Sequence, residues 1–316
     1  MYRHVRRRIF ALIRVACAAF AMAAASAHAQ TCTVSMTAVA FGNVDVLTGA
    51  AADTTATLTV SCSGGGAGGQ RVCISLGAGS AGDSTSRILN GPGGGTARYE
   101  LYSDASRTVK WGSWQTGYDL AGVQLDVAQN ASTNLTVYAR FAGSQQNDLA
   151  GTYTSTFTGD PFIQYADRSA SPCPTGGLTA STSASASANV VPNCNVSATN
   201  INFGTIALLT TNKDAQGTLS IQCNATLPYA VSLSGGNAGA TDPTQRKMAL
   251  GGGNVTYGLY QDSARTQPWG DNPGTNTNSG TGNGALQNIA VYARIAPQTT
   301  PSPGTYSDTI IATVSY

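Results

Sequence analysis

The chain has 316 residues, of which 41% are apolar and only 10% charged, with 37 glycines and seven cysteines. A length near twice 150 residues predicts two domains with real cores, which speaks against a wholly disordered chain. Charge far below the roughly 25% usual in soluble domains, replaced by Gly, Ser, Thr, Ala and Asn, fits an extracellular all-β protein and excludes a typical cytosolic helical enzyme.

Residues 1–29 read as a secretory signal peptide. Arg3, Arg6, Arg7 and Arg8 form a basic start, an apolar run extends from Val15 to Ala25, and Ala27-His28-Ala29 is a small-x-small cleavage site. The apolar run is short for a membrane span and Arg14 interrupts its approach. Cleavage after Ala29 removes both histidines, Cys17 and five arginines, leaving 12 basic against 15 acidic groups. No basic footprint for nucleic acid or an anionic bilayer remains.

Six cysteines follow: Cys32, Cys62, Cys73, Cys173, Cys194 and Cys223. An even number in an exported chain predicts disulfides. Cys32 to Cys62 spans 30 residues and Cys194 to Cys223 spans 29, which predicts the same bridge in two copies of one domain and leaves Cys73 for Cys173. With no CxxC pair and no histidine after the leader, zinc ligation is a poor rival, and no cofactor is expected.

The chain repeats itself once. Cys32-Thr-Val-Ser with Phe41-Gly-Asn-Val44 answers Cys194-Asn-Val-Ser with Phe203-Gly-Thr-Ile206. Tyr99 to Gly112 aligns without a gap on Tyr257 to Gly270, Val137-Tyr-Ala-Arg140 on Val291-Tyr-Ala-Arg294, and Gly151-Thr-Tyr153 on Gly304-Thr-Tyr306. Strand periodicity recurs throughout, as in Thr57–Cys62, Leu135–Arg140, Gly217–Cys223 and Thr309–Tyr316, and glycine-rich turns such as Gly64–Gly69 and Gly91–Gly95 separate the strands. This predicts two β-sandwiches, at 30–175 and 193–316, joined by an Ala/Ser-rich stretch at 176–192.

Taken together, Cys-x-Val-Ser, Phe-Gly, Leu-Tyr-x-Asp-x-x-Arg-Thr-x-x-Trp-Gly, Val-Tyr-Ala-Arg and Gly-Thr-Tyr-x-Asp-Thr-Ile resemble the spore coat protein U domain, the pilin-type module of archaic chaperone–usher pili. The resemblance covers nearly all of residues 30–316, in duplicate. It departs from the pattern near the end of the first copy, where Phe157-Thr-Gly-Asp-Pro-Phe-Ile-Gln-Tyr165 replaces a clean final strand. What it implies is an immunoglobulin-like sandwich that lacks its final strand and exposes an apolar groove. A periplasmic chaperone fills the groove first, and a strand from the adjacent pilin subunit then replaces it at the outer-membrane usher.

Donor strands can be sought on that basis. Leu178, Ala180, Thr182, Ala184, Ala186, Ala188 and Val190 alternate with polar residues, so 178–190 reads either as a flexible linker or as a strand whose acceptor is the first copy of the same chain. Tethering would supply an effective concentration of about millimolar. Ahead of Cys32 only Gln30 and Thr31 follow the expected cleavage site, too few for a donor strand of about ten residues. The second copy is expected to accept a strand beside its last one, formed by Thr309, Ile310, Ile311, Val314 and Tyr316.

Trp111 and Trp269 hold equivalent places, as do Tyr99 and Tyr257, Tyr102 and Tyr260, and Tyr138 and Tyr292, which predicts packing roles. Asp104, Arg107, Asp262 and Arg265 also recur, which predicts turn-stabilising ion pairs. Trp114 and Tyr118 have no counterparts and are candidate adhesive contacts, with a local core cap as the alternative for Trp114. Without histidine or free thiol an enzyme is disfavoured; Asp119 and Asp126 are near one another in sequence, but nothing sets them across a cleft. The expected function is that of a tip adhesin of an archaic chaperone–usher pilus, exported through the periplasm to the cell surface, attaching to an abiotic or host surface and supporting biofilm. The alternatives are a structural spore-coat or envelope protein and a carbohydrate-binding module.

Overall fold

The computed structural model of the chain describes residues 31–64, 69–83, 85–114, 120–157, 163–166, 173 and 182–316. The expected leader at 1–29, most of the glycine run after Gly64, and Tyr118 and Asp119 lie outside them. The described strands are β1 (Thr31–Met36), β2 (Val39–Val44), β3 (Ala52–Ser63), β4 (Gln70–Ile74), β5 (Arg87–Asn90), β6 (Thr96–Tyr102), β7 (Val123–Val127), β8 (Ser132–Phe141), β9 (Gly151–Phe157) and β10 (Ile163–Ala166). They continue with β11 (Ala184–Val190), β12 (Cys194–Ala198), β13 (Lys213–Cys223), β14 (Pro228–Leu233), β15 (Arg246–Leu250), β16 (Gly253–Tyr260), β17 (Asn278–Thr281), β18 (Gln287–Ile295) and β19 (Ala312–Ser315).

Alternation decides which side chains are buried. In β3, Ala56, Leu58, Val60 and Cys62 turn inward between polar neighbours, and in β13 Leu219, Ile221 and Cys223 do the same. A sheet ordered β1-β3-β8-β6-β5-β9-β11-β2 faces one ordered β10-β4-β7 in the first half. In the second half β12-β13-β18-β16-β15 faces β17-β14-β19. Each half has its own apolar core, and the chain is all-β. Trp111 and Trp269 fill equivalent places in these cores, and their indole N–H groups donate to the carbonyls of Ile74 and Val231.

Cys32–Cys62 and Cys194–Cys223 bridge directly opposed residues of β1/β3 and β12/β13, with Cα–Cα distances of 4.0 and 4.1 Å. Closing a loop of this size contributes about 3.5 kcal/mol in the chain-entropy account. The third bridge joins Cys73 of β4 to Cys173. The irregular end of the first copy still delivers a final strand, since β10 pairs with β4 as β19 pairs with β14.

Two expectations are corrected. Tyr102 and Tyr138 are only half-buried, because Val137 and Ala139 take the inward positions of β8 and turn Tyr138 outward beneath the Arg107 guanidinium, 5.7 Å from the ring centre. Asp104 does not pair with Arg107. Its carboxylate accepts from the backbone of Thr108 and Val109, while Arg107, at φ +56°, reaches Asp53. Asp262, Arg265 and Asp214 repeat that arrangement.

Candidate strand-acceptor groove

The two halves differ in one place. In the first, β11 lies between β9, antiparallel, and β2, parallel. Ala186, Ala188 and Val190 point inward and are fully buried against a core that includes Val39, Phe41, Tyr99, Tyr153 and Phe157. Of the stretch 178–190, positions 178–181 lie outside the described residues, and 184–190 form a strand. The anchors are small because the aromatic rings of the acceptor already occupy most of the space.

The Phe-Gly signature gains a physical reason here. Register runs Ser187↔Ala40 and then Asn189↔Asn43, so Phe41 and Gly42 together oppose Ala188. This is a bulge, and Gly42 takes φ +68°, where a Cβ would cost about 1–2 kcal/mol although nothing lies near it. Gly204 has φ +72° at the equivalent place, with no strand opposite among the described residues.

In the second half no described strand occupies the position of β11. Residues 199–206 and 304–311, the counterparts of β2 and β9, are consequently not strands. Between them runs a cleft of about 560 Å³ lined by Ile201, Phe203, Leu219, Tyr257, Tyr306 and Ile310, among others. On its inner side Ser307 exchanges backbone hydrogen bonds with Ala249; the outer edge of 304–311 has no strand neighbour among the described residues. Val46 of the first half is 2% exposed and its counterpart Leu208 is 59% exposed. The same sequence pattern thus builds a closed core in one half and an open apolar groove in the other.

The groove wall carries one acid. Asp308 Oδ1 accepts from the backbone N–H groups of Asn237 and Thr309, at 2.7 and 2.8 Å, and Oδ2 accepts from the Tyr257 hydroxyl at 2.7 Å. Burial pushes the Tyr257 pKa up, and the neighbouring Asp308 carboxylate adds to the rise. Beneath lies Arg246, fully buried and donating to the carbonyls of Leu233, Ser234, Pro243 and Trp269. Burial lowers its pKa, and Tyr257, Asp271, Asp308 and Asp242 act against that. The first-half counterpart, Arg87, makes similar carbonyl contacts but is ion-paired to buried Glu100, whose place Gly258 takes in the second half.

The residues expected along the last strand divide. Ile310 and Val314 pack against the core, and Ile310 lines the groove. Thr309 and Ile311 turn away, and Ile311 and Tyr316 are exposed, because the alternation puts 310, 312 and 314 on one face and the regular strand spans only Ala312–Ser315. Trp114 is half-buried: it packs against the Cys73–Cys173 bridge, its backbone N–H donates to Ser75 Oγ at 2.9 Å, and Gly122 lies close against its ring. That is the core-cap alternative, while Tyr118 lies outside the described residues. Asp126 is held by Arg71 at 2.9 Å, and Asp119 lies outside the described residues. Sequence reasoning passes over Arg87 and Arg246, and meets Asp308 only as the acid of the Gly-Thr-Tyr-x-Asp-Thr-Ile ending, without a role in the groove. The signal for the two arginines is their matched place in the repeat, and for the role of Asp308 it is the change from Ser155 within aligned Gly-Thr-Tyr segments.

The Spore Coat Protein U domain profile matches residues 18–160 and again 179–313. The chain belongs to the spore coat protein U domain family. Both halves of the chain therefore carry the domain, in agreement with the repeat. Its fold is similar to a chain of the chaperone–tip adhesion subunit pre-assembly complex of archaic chaperone-usher Csu pili of Acinetobacter baumannii. That match has 17% identity and a TM-score of 0.50, and covers 90% of this chain and 100% of that one. The CupB6 tip adhesin from Pseudomonas aeruginosa also overlays, at 12% identity over 90% of this chain and 93% of that one, but its TM-score of 0.38 is too low to carry an argument. No curated relative matches the sequence.

Proposed function

We propose that this chain is the tip subunit of an archaic chaperone–usher pilus, in which the first half carries the attachment surface and the second half is the acceptor that joins it to the fibre. A periplasmic chaperone covers the open groove during export. At the outer-membrane usher, a strand from the adjacent pilin subunit takes its place. The exposed first half then meets an abiotic or host surface, and biofilm follows from that attachment.

One observation carries this reading: the groove that the first half fills with its own β11 is left open in the second half, with its apolar wall and backbone edge uncovered. An exposed apolar edge of this kind aggregates unless a partner strand pairs with it. Family membership and the fold shared with a chain of a chaperone–tip complex support the assignment. Attachment is the work of first-half loops, with Tyr118 the contact and Trp114 its support.

Expression in a periplasm with and without the pilus chaperone tests the assignment. The expected result is proteolysis or aggregation of the chain alone and a stable one-to-one complex when the chaperone is present. A soluble, protease-resistant solitary monomer that the chaperone does not capture would overturn it and favour an envelope protein.

A further inference from the structure

The filled and open grooves allow a residue-by-residue comparison of what each demands of its strand. In the first half Ser155, 1% exposed, lies opposite Ala186 on β11, and both side chains turn inward. Phe157 lies opposite Ala184, and Tyr153 opposite Ala188. Gly304-Thr-Tyr306 aligns with Gly151-Thr-Tyr153, so Asp308 stands where Ser155 stands and Ile310 where Phe157 stands. A hydroxyl in the filled groove is thus replaced by a carboxylate in the open one.

That carboxylate is built in. A Cβ on Gly236, which has φ +74°, would fall 2.1 Å from Asp308 Oδ2, so only glycine lets the 235–239 loop close on it. Two backbone N–H groups and the Tyr257 hydroxyl occupy three of roughly four acceptor sites of a carboxylate. A strand seated as β11 is seated would remove the remaining side of Asp308 from water. An apolar or acidic side chain opposite it would bury the charge without a new partner, whereas a hydroxyl or amide would donate to the fourth site.

We infer that Asp308 is a specificity-determining residue of the second groove, selecting an extended segment that carries a small hydrogen-bond-donating side chain, such as serine or threonine, where β11 carries Ala186. Two residues earlier, opposite Ile310, the smaller wall admits a side chain bulkier than alanine. The two positions beyond, opposite Tyr306 and Gly304, keep small apolar anchors. The first groove has neither demand, so the chain's own 184–190 segment is a weak occupant of the second. This inference rests on the acceptor reading proposed above.

The test uses the full chain, purified as its complex with the chaperone, and peptides copying residues 182–191, with Ala, Ser, Leu or Asp at the position of Ala186. It reads apparent dissociation constants from the fluorescence anisotropy of labelled peptide as it displaces the chaperone. On the unaltered chain the serine peptide is expected to bind about tenfold more tightly than the alanine peptide, with leucine and aspartate weaker than both. In Asp308→Ser, which copies the first groove, and in Asp308→Asn, should the serine variant fail to fold, the serine-to-alanine ratio falls to about twofold or less. Equal binding of all four peptides to the unaltered chain, or an unchanged ratio in a folded Asp308 variant, overturns the specificity role while leaving the acceptor reading intact. No binding of any peptide to any variant overturns the acceptor reading itself.

Discussion

Ala188 lies directly opposite Tyr153 in the first half, and both side chains are buried. This contact places the Ala/Ser-rich stretch inside the core rather than between two cores. The replacement Ala188→Asp is expected to destabilise the first half by several kcal/mol, because an unpaired carboxylate would face Tyr153. Asn189→Ala, on the exposed face of the same strand, should change stability by no more than about 1 kcal/mol. Urea unfolding of the two variants separates a core strand from a linker, since a linker would respond equally to both.

Glu100 is buried beside Arg87 and also takes Lys110 at 2.9 Å. Removing it as Glu100→Ala leaves the Arg87 guanidinium without its ion-pair partner, at an expected cost of about 3–5 kcal/mol. Lys110→Ala, which removes the more exposed partner, should cost under about 1 kcal/mol. Thermal denaturation of the two variants checks the ordering.

Asp148 sits where the first half meets the second: the next residue, Leu149, bridges to Ala225. Burial pushes its pKa up to about 6 from an ordinary 3.8, against the pull of Arg98, and its Oδ2 is buried without a hydrogen-bond partner. Between about pH 4 and pH 6 the folded chain therefore holds a proton that the unfolded chain has released. Stability from this group is complete below about pH 4 and is lost as pH rises through 6. Above that, the ionised form costs about 1–2 kcal/mol once solvent screening of this half-exposed side chain is allowed for. Asp148→Asn should be more stable than the parent at pH 7.5 and equal to it at pH 4, as read by urea midpoints at the two pH values.

Trp114 and Tyr118 are expected to separate in their effects. Trp114→Ala removes a half-buried ring from the Cys73–Cys173 bridge and should cost about 1–3 kcal/mol, seen as a lower melting temperature. Tyr118→Ala should leave melting unchanged and reduce attachment of piliated cells to a surface. Full attachment by Tyr118→Ala cells would move the contact elsewhere on the first half.

Much of this was legible because it is written in local chemistry. The spacing of Cys32 with Cys62 and Cys194 with Cys223, the period-two alternation of β3, β8, β13 and β18, and the matched tryptophans depend only on chain geometry and on which side chains prefer burial. They point to two sandwiches without knowledge of any contact. The partners of Asp104 and Arg107 were not legible, because two charges close in sequence are free to turn toward different neighbours once the turn adopts a positive φ at Arg107.

The sequence by itself determined that there are two copies of one β-domain, which segments alternate with strand periodicity and which cysteines match. Only the tertiary structure decided that Val39–Val44 is a strand while 201–206, with the same Phe-Gly bulge, is not. A strand exists by virtue of the neighbour that accepts its hydrogen bonds, and β11 lies beside one copy while no described strand takes its place beside the other. On the acceptor reading proposed above, the charge at Asp308 would acquire its meaning in the same way, from the side chain seated opposite it.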